Sequence, residues 1–185
     1  MDRWRTMKIS QNSIFKDIKI IDAFGSDDER GNFSKVFQDD TFRQYDLNFE
    51  IKELYYSVSQ KDVIRGMHFQ IPPYEHDKLV HVISGSVLDV IVDLRRHSDT
   101  YKQYITIPLS GKMKRAIFIP RGFAHGFLSL ENGTVMLYCV SSVYYKDADC
   151  GIRYDSIGFD WQTASPIVSQ RDLCFATLEE YESPF

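Results

Sequence analysis

Cysteine is scarce in this 185-residue chain: Cys139, Cys150 and Cys174 are widely spaced, odd in number and lack any C-x-x-C spacing. That argues against a disulfide frame or a zinc knuckle and suits a reducing cytoplasm. Long hydrophobic runs are lacking too. The apolar stretches are strand-sized and broken by charge, and the basic start MDRWRTMKISQ leads into no apolar segment, so neither a signal peptide nor a membrane span is expected. Basic charge is sparse, with nothing longer than the cluster Lys112, Lys114, Arg115 and a formal net charge of −4, which removes nucleic acid from the expected partners. Helical periodicity, internal repeats and low-complexity linkers are also wanting, so the whole of 1–185 is expected to build one object.

What is present is aromatic and β-rich: 13 Phe and 11 Tyr favour pleated, half-buried surfaces. From Leu79 onward short apolar runs follow one another between turn signals, in LVHVISGSVLDVIVDL, YITIPLSGK, RAIFIPRG and HGFLSLENGTVMLYCVSSVYY. These predict strands, with hairpin turns at Ser84-Gly85, Ser110-Gly111 and Asn132-Gly133, and hence an all-β sandwich or barrel. Short helices are expected only at Asp39 to Gln44 and near Thr177 to Tyr181. Residues 1–20 form an arm or a frayed end, 21–165 the barrel, and 166–185 a segment returning across it. Such a barrel holds a small ligand in its mouth, so inward polar side chains mark its site.

Three segments supply them. RGMHFQ sets Arg65, His68 and Gln70 among apolar neighbours at strand spacing. Lys78 opens an apolar strand, where it is either a solvated edge residue, the commoner case, or a buried cation. In IPRGFAHGF a Pro-x-Gly turn delivers His125 to the next strand, a pattern similar to the second half of the cupin signature. Metal-binding cupins pair that histidine with an earlier His-x-His and a glutamate. Here the earlier segment is His68-Phe69-Gln70, one imidazole without the carboxylate, so no metal is expected.

Taken in order, RGMHFQ, DKLVHV, GSVLDVIVDLRRHSDTY, IPRGFAHGFLSL and MLYCV resemble the nucleotide-diphospho-4-keto-6-deoxysugar 3,5-epimerase family over about Glu29 to Asp172. The resemblance implies a cupin-type jelly roll, a homodimer in which an N-terminal segment can cross to its partner, and cofactor-free epimerisation beside a ketone. That chemistry needs a base, an enolate stabiliser and an acid on the opposite face. By the same resemblance His68 is the base, Asp172 its partner, Tyr138 the acid, and Lys78 with Arg65 the holder of the developing oxyanion. A tyrosine in an apolar strand otherwise simply packs, and His125 is either a positioning group or a satisfied core histidine.

Arg30, Phe24 and Phe33 match the family's diphosphate arginine and its aromatic neighbours, although DERG by itself spells a charged turn. Two departures concern the base. Lys35 stands where the family usually has glutamate, and Glu53-Leu54-Tyr55 replaces Gln-Asp-Asn. A donating Lys35 and an accepting Glu53 suit cytosine better than thymine. The expected substrate is therefore a CDP-3,6-dideoxy-4-hexulose epimerised at C5. The alternatives are a dTDP-4-dehydro-6-deoxyglucose 3,5-epimerase of the rhamnose pathway and a non-catalytic sugar-nucleotide-binding cupin.

Overall fold

The computed structural model describes residues 6–185. Its elements are β1 (Lys8–Gln11), β2 (Lys19–Asp22), β3 (Phe24–Asp28), β4 (Gly31–Lys35), α1 (Asp39–Gln44), β5 (Glu53–Ser59), β6 (Ile64–Gln70), β7 (Lys78–Ser84) and β8 (Ser86–Asp93). They continue with β9 (Tyr104–Ser110), β10 (Arg115–Ile119), β11 (Phe123–Ser129), β12 (Thr134–Val140), β13 (Asp149–Gly151) and α2 (Gln170–Leu173). The fold is an all-β sandwich of the cupin jelly-roll type. A six-stranded sheet in the order β1-β2-β10-β7-β12-β5 faces a five-stranded sheet, β13-β6-β11-β8-β9, and β3 and β4 pair alone as a projecting hairpin.

Strand periodicity builds three apolar layers. Val80, Val82, Ile117 and Met136 from one sheet meet Val87, Ile91, Ile107 and Phe127 from the other in the central layer. Behind the five-stranded sheet, Val90, Val92 and Leu128 are covered by Trp161, Leu178, Tyr181 and Phe185 of the C-terminal return. Behind the six-stranded sheet, Leu79, Phe118 and Cys139 pack under Phe42 of α1 and Phe49. Residues 1–5 of the expected arm lie outside the described residues; beyond them the chain is no frayed end, because β1 and β2 extend the six-stranded sheet.

The three expected hairpin turns are corners instead. Each of Ser84-Gly85, Ser110-Gly111 and Asn132-Gly133 carries the chain from one sheet to the other. Gly85 and Gly133 have the expected positive φ, 79° and 72°, but in the 110–114 turn that role falls to Lys114, with φ 52°. The corners crowd at one end: a Cβ on Gly85 would come within 2.9 Å of the Thr134 Cα, and one on Gly111 within 2.5 Å of the Ile83 carbonyl. That end is closed, so a ligand has to enter from the other, where β6 finishes and β7 begins.

The helix near Thr177 to Tyr181 is a single turn. Thr177 and Glu180 bond each other there, and Pro184 soon removes an N–H. The helix that does form, α2, starts at Ser169, whose hydroxyl accepts the Asp172 N–H at 3.1 Å.

Candidate active site

Two facing glycines set the histidine. β6 and β11 pair with a register break next to His125, where a Cβ on Gly66 would lie 2.6 Å from the Gly126 Cα and one on Gly126 2.8 Å from the Arg65 carbonyl. Gly66 also has φ 145°. His68 lies two residues beyond this close approach. There α2 brings Asp172, so that His68 Nε2 lies 2.9 Å from its Oδ1 while the Gly66 N–H donates to Oδ2. With Nε2–H committed to the carboxylate, the lone pair sits on Nδ1.

Burial lowers the His68 pKa below the usual imidazole value and outweighs the opposing pull of Asp172, so the ring is neutral. Burial pushes the Asp172 carboxyl up, but its hydrogen bonds, from His68 first and from the Gly66 N–H, prevail and hold it below the usual range. Phe175 closes over His68 edge-on at 5.9 Å, in space left free by Gly151. Arg171 lies on Phe175 and pairs with Asp149 at 2.7 Å.

Lys78 is the buried cation and not an edge residue: it is 6% exposed, and its Nζ donates to the His68 carbonyl at 2.9 Å. Asp77 fixes the start of β7 by accepting the Arg121 N–H and guanidinium, which ties it to the Pro-x-Gly turn. Burial brings the Lys78 pKa down to about 8, with Asp149 and Asp89 pulling the other way. On the same six-stranded sheet as Lys78, and facing the sheet of His68, Tyr138 presents its hydroxyl 3.3 Å from Ser57 Oγ. Burial raises its pKa above the ordinary phenol value, so it stays protonated.

An outer cavity of about 280 Å³ is bordered by Glu53, Gln70, His76, Ser142, Tyr144 and Arg171. An inner one of about 190 Å³ is bordered by Ser57, Arg65, His125, Phe127 and Tyr138. Tyr55, His68 and Lys78 belong to both walls. A neutral imidazole, a buried ammonium and a protonated phenol thus border the same inner cavity. This set can remove a proton next to a carbonyl, hold the enolate and return a proton.

A family model described as dTDP-4-dehydrorhamnose 3,5-epimerase matches residues 12–180. The chain belongs to that family. A dTDP-4-dehydrorhamnose 3,5-epimerase of Methanothermobacter thermautotrophicus is 39% identical over 158 residues, 83% of this chain and 85% of the relative. One of Escherichia coli is 36% identical over 171 residues, 89% and 91% of the two chains. The crystal structure of a dTDP-6-deoxy-D-glucose 3,5-epimerase from Legionella pneumophila, in complex with dTDP-4-keto-L-rhamnose, superposes with a TM-score of 0.90 at 32% identity and covers 96% of this chain and 95% of that one. The chain is accordingly a carbohydrate epimerase, an isomerase.

The fold of this epimerase brings His68, Asp172, Lys78, Tyr138, Arg65 and His125 to one place. Arg65 bonds Ser59 Oγ at 3.0 Å and the Val58 carbonyl beside the inner cavity. His125 borders the inner cavity with its Nε2 2.8 Å from Asp89 Oδ2. Gln70 lines the outer cavity, but its amide is spent on the chain itself, donating to the Tyr74 carbonyl and to His76 and accepting the Tyr145 N–H. Glu53 likewise uses Oε2 to accept the Tyr144 N–H at 2.7 Å.

The hairpin residues fall elsewhere. Arg30 closes a charged turn on Asp28, Phe24 and Phe33 meet edge-on, and Lys35 lies over the Phe24 ring. None of the four borders either cavity around His68, since β3 and β4 project as a sheet of their own, tied to the body through Lys114 and Asp27. Sequence reasoning missed Asp89, Tyr55, Tyr144, Asp149, Arg171 and Phe175. Alternation along β8 could have found Asp89, because it shares an inward face with Val87 and Ile91.

Proposed function

We propose that this epimerase acts on a dTDP-linked 4-keto-6-deoxyhexose and inverts the carbons flanking the ketone, C3 and C5. The observation that carries the reading is the His68–Asp172 pair on one sheet and Tyr138 on the other, around a space that also holds Lys78. His68 Nδ1 takes the α-proton, and Asp172 stabilises the imidazolium that results. Lys78 with Arg65 receives the negative charge on the ketone oxygen, an interaction worth about 3 kcal/mol in a water-poor pocket. Tyr138 returns a proton from the opposite face.

The names of the relatives favour dTDP over the CDP-sugar that Lys35 and Glu53 suggest. The two residues also share no cavity: Glu53 is engaged with Tyr144, and Lys35 rides on the hairpin. In a homodimer that hairpin would reach the partner's cavity and bring Arg30 to the diphosphate. The outward face of edge strand β5 supports pairing, because Leu54, Tyr56 and Val58 are 59%, 67% and 51% exposed. Three free cysteines support a reducing cytoplasm, and no helix among the described residues is long and apolar enough to cross a membrane.

Incubation with dTDP-4-keto-6-deoxy-D-glucose in deuterated water should place deuterium at C3 and C5, detected by proton NMR. Exchange at C5 alone, and only with a CDP-sugar, would restore the cytosine reading. Binding without exchange would leave a sugar-nucleotide-binding cupin.

A further inference from the structure

Tyr55 stands where the family usually carries asparagine, and it is the third residue common to the outer and inner cavities. Its place is dictated by register: Tyr55 on β5 is directly opposite Tyr138 on β12, so both side chains leave the sheet on the same face. Their rings stack at a centroid distance of 4.8 Å and 16° between planes. The Tyr138 ring is held on two further sides, by the Ser57 hydroxyl at its tip and by the edge of His125 at 6.3 Å. Of these three contacts the stack is the one made face to face, and Tyr55 borders both cavities.

Resting on the reaction proposed above, we infer that Tyr55 is a positioning residue: by holding the Tyr138 ring in place it decides how much of the enolate is inverted and how much returns to substrate. Removal of the α-proton by His68 leaves an enolate with two fates. The imidazolium can give a proton back to the same face, which exchanges hydrogen for solvent deuterium without changing configuration. Alternatively the Tyr138 O–H gives its proton to the opposite face, the O–H bond breaks as the C–H bond forms, and the phenolate is left beside Ser57 and Arg65 until solvent reprotonates it while His68 releases its proton. The first fate needs nothing from Tyr138. The second needs its oxygen within reach of the carbon.

The inference separates two quantities that a general loss of activity would move together. Tyr55→Ala, assayed with dTDP-4-keto-6-deoxy-D-glucose in deuterated water, should keep solvent exchange and lower the inverted fraction on the order of 100-fold, the usual result of misplacing a reacting group by an ångström. Tyr55→Phe keeps the stack and should restore inversion; Tyr138→Phe should reproduce exchange without inversion. A thermal melt of each variant identifies those that fail to fold, and for them Tyr55→Leu gives the same comparison with bulk retained. Equal falls in exchange and inversion for the folded Ala or Leu variant would overturn the role of Tyr55. Absence of exchange in the unaltered protein would instead sink the reaction itself.

Discussion

The barrel contains two histidine–carboxylate pairs, and they differ in almost everything except the bond. His68 and His125 are register partners on adjacent strands, and each holds an aspartate through Nε2, at 2.9 and 2.8 Å. The His68 side chain is 29% exposed and the His125 side chain 3%; their carboxylates are 5% and 0% exposed. His68 therefore borders both cavities and is open to solvent, whereas His125 borders the inner one alone and is almost wholly covered. Asp172 also arrives from the far end of the sequence, whereas Asp89 lies on β8, the strand paired with His125's own. In the proposed reaction, identical chemistry would serve as a proton carrier in one setting and an internal brace in the other.

The sharpest way to break that comparison is to delete each imidazole. His68→Asn should lower turnover about 10²- to 10⁴-fold with little change in melting temperature. His125→Asn should mainly lower stability, with a smaller effect on turnover than His68→Asn, because it leaves Asp89 buried next to a poorer partner while Asp89 Oδ1 already has none among the described residues. A loss of about 3 kcal/mol is expected, seen as a fall in melting temperature of about 6–12 °C. A His125 variant that melts normally yet is inactive would undo the distinction.

A smaller effect sharpens it. Burial lowers the His68 pKa, so the base stays deprotonated on going below the ordinary imidazole value of 6.5, and kcat/KM should fall on the acidic side only beneath that pH. Lys78, brought down to about 8, loses its charge as the pH rises through that value, which sets an alkaline limb there. Lys78→Arg stays cationic and should abolish the alkaline limb while keeping the acidic one, whatever its overall rate. His125→Asn should leave the acidic limb where it is. Movement of that limb would mean that both histidines titrate in catalysis.

The strands were legible because period-two burial writes itself into sequence, and the motifs that carry His68, Lys78 and Tyr138 sit on those strands. Sheet membership was not. Gly85 and Gly133 announce a turn, but nothing local says whether the next strand pairs back or crosses to the facing sheet. Lys78 shows the same limit from another side: an amine opening an apolar strand is solvated unless distant residues enclose it, and here the enclosing groups come from β6, β13 and the C-terminal return. Arg30 and Lys35 matched by spacing alone, and spacing cannot tell a hairpin that folds onto its own barrel from one that stands away from it.

The short helix α2 has a consequence for how the molecule matures. Every strand of both sheets is complete by Gly151, yet the aspartate that orients His68 is twenty-one residues further on, beside the arginine and phenylalanine that roof the imidazole. During synthesis both sheets are therefore complete in sequence before His68 has a partner. The segment docks with the Phe185 carbonyl accepting the Arg96 N–H at 2.9 Å and the Ser183 hydroxyl donating to the Leu94 carbonyl. A cut within that segment would therefore remove the partner of His68 and, with Trp161, Leu178, Tyr181 and Phe185, the cover of the five-stranded sheet.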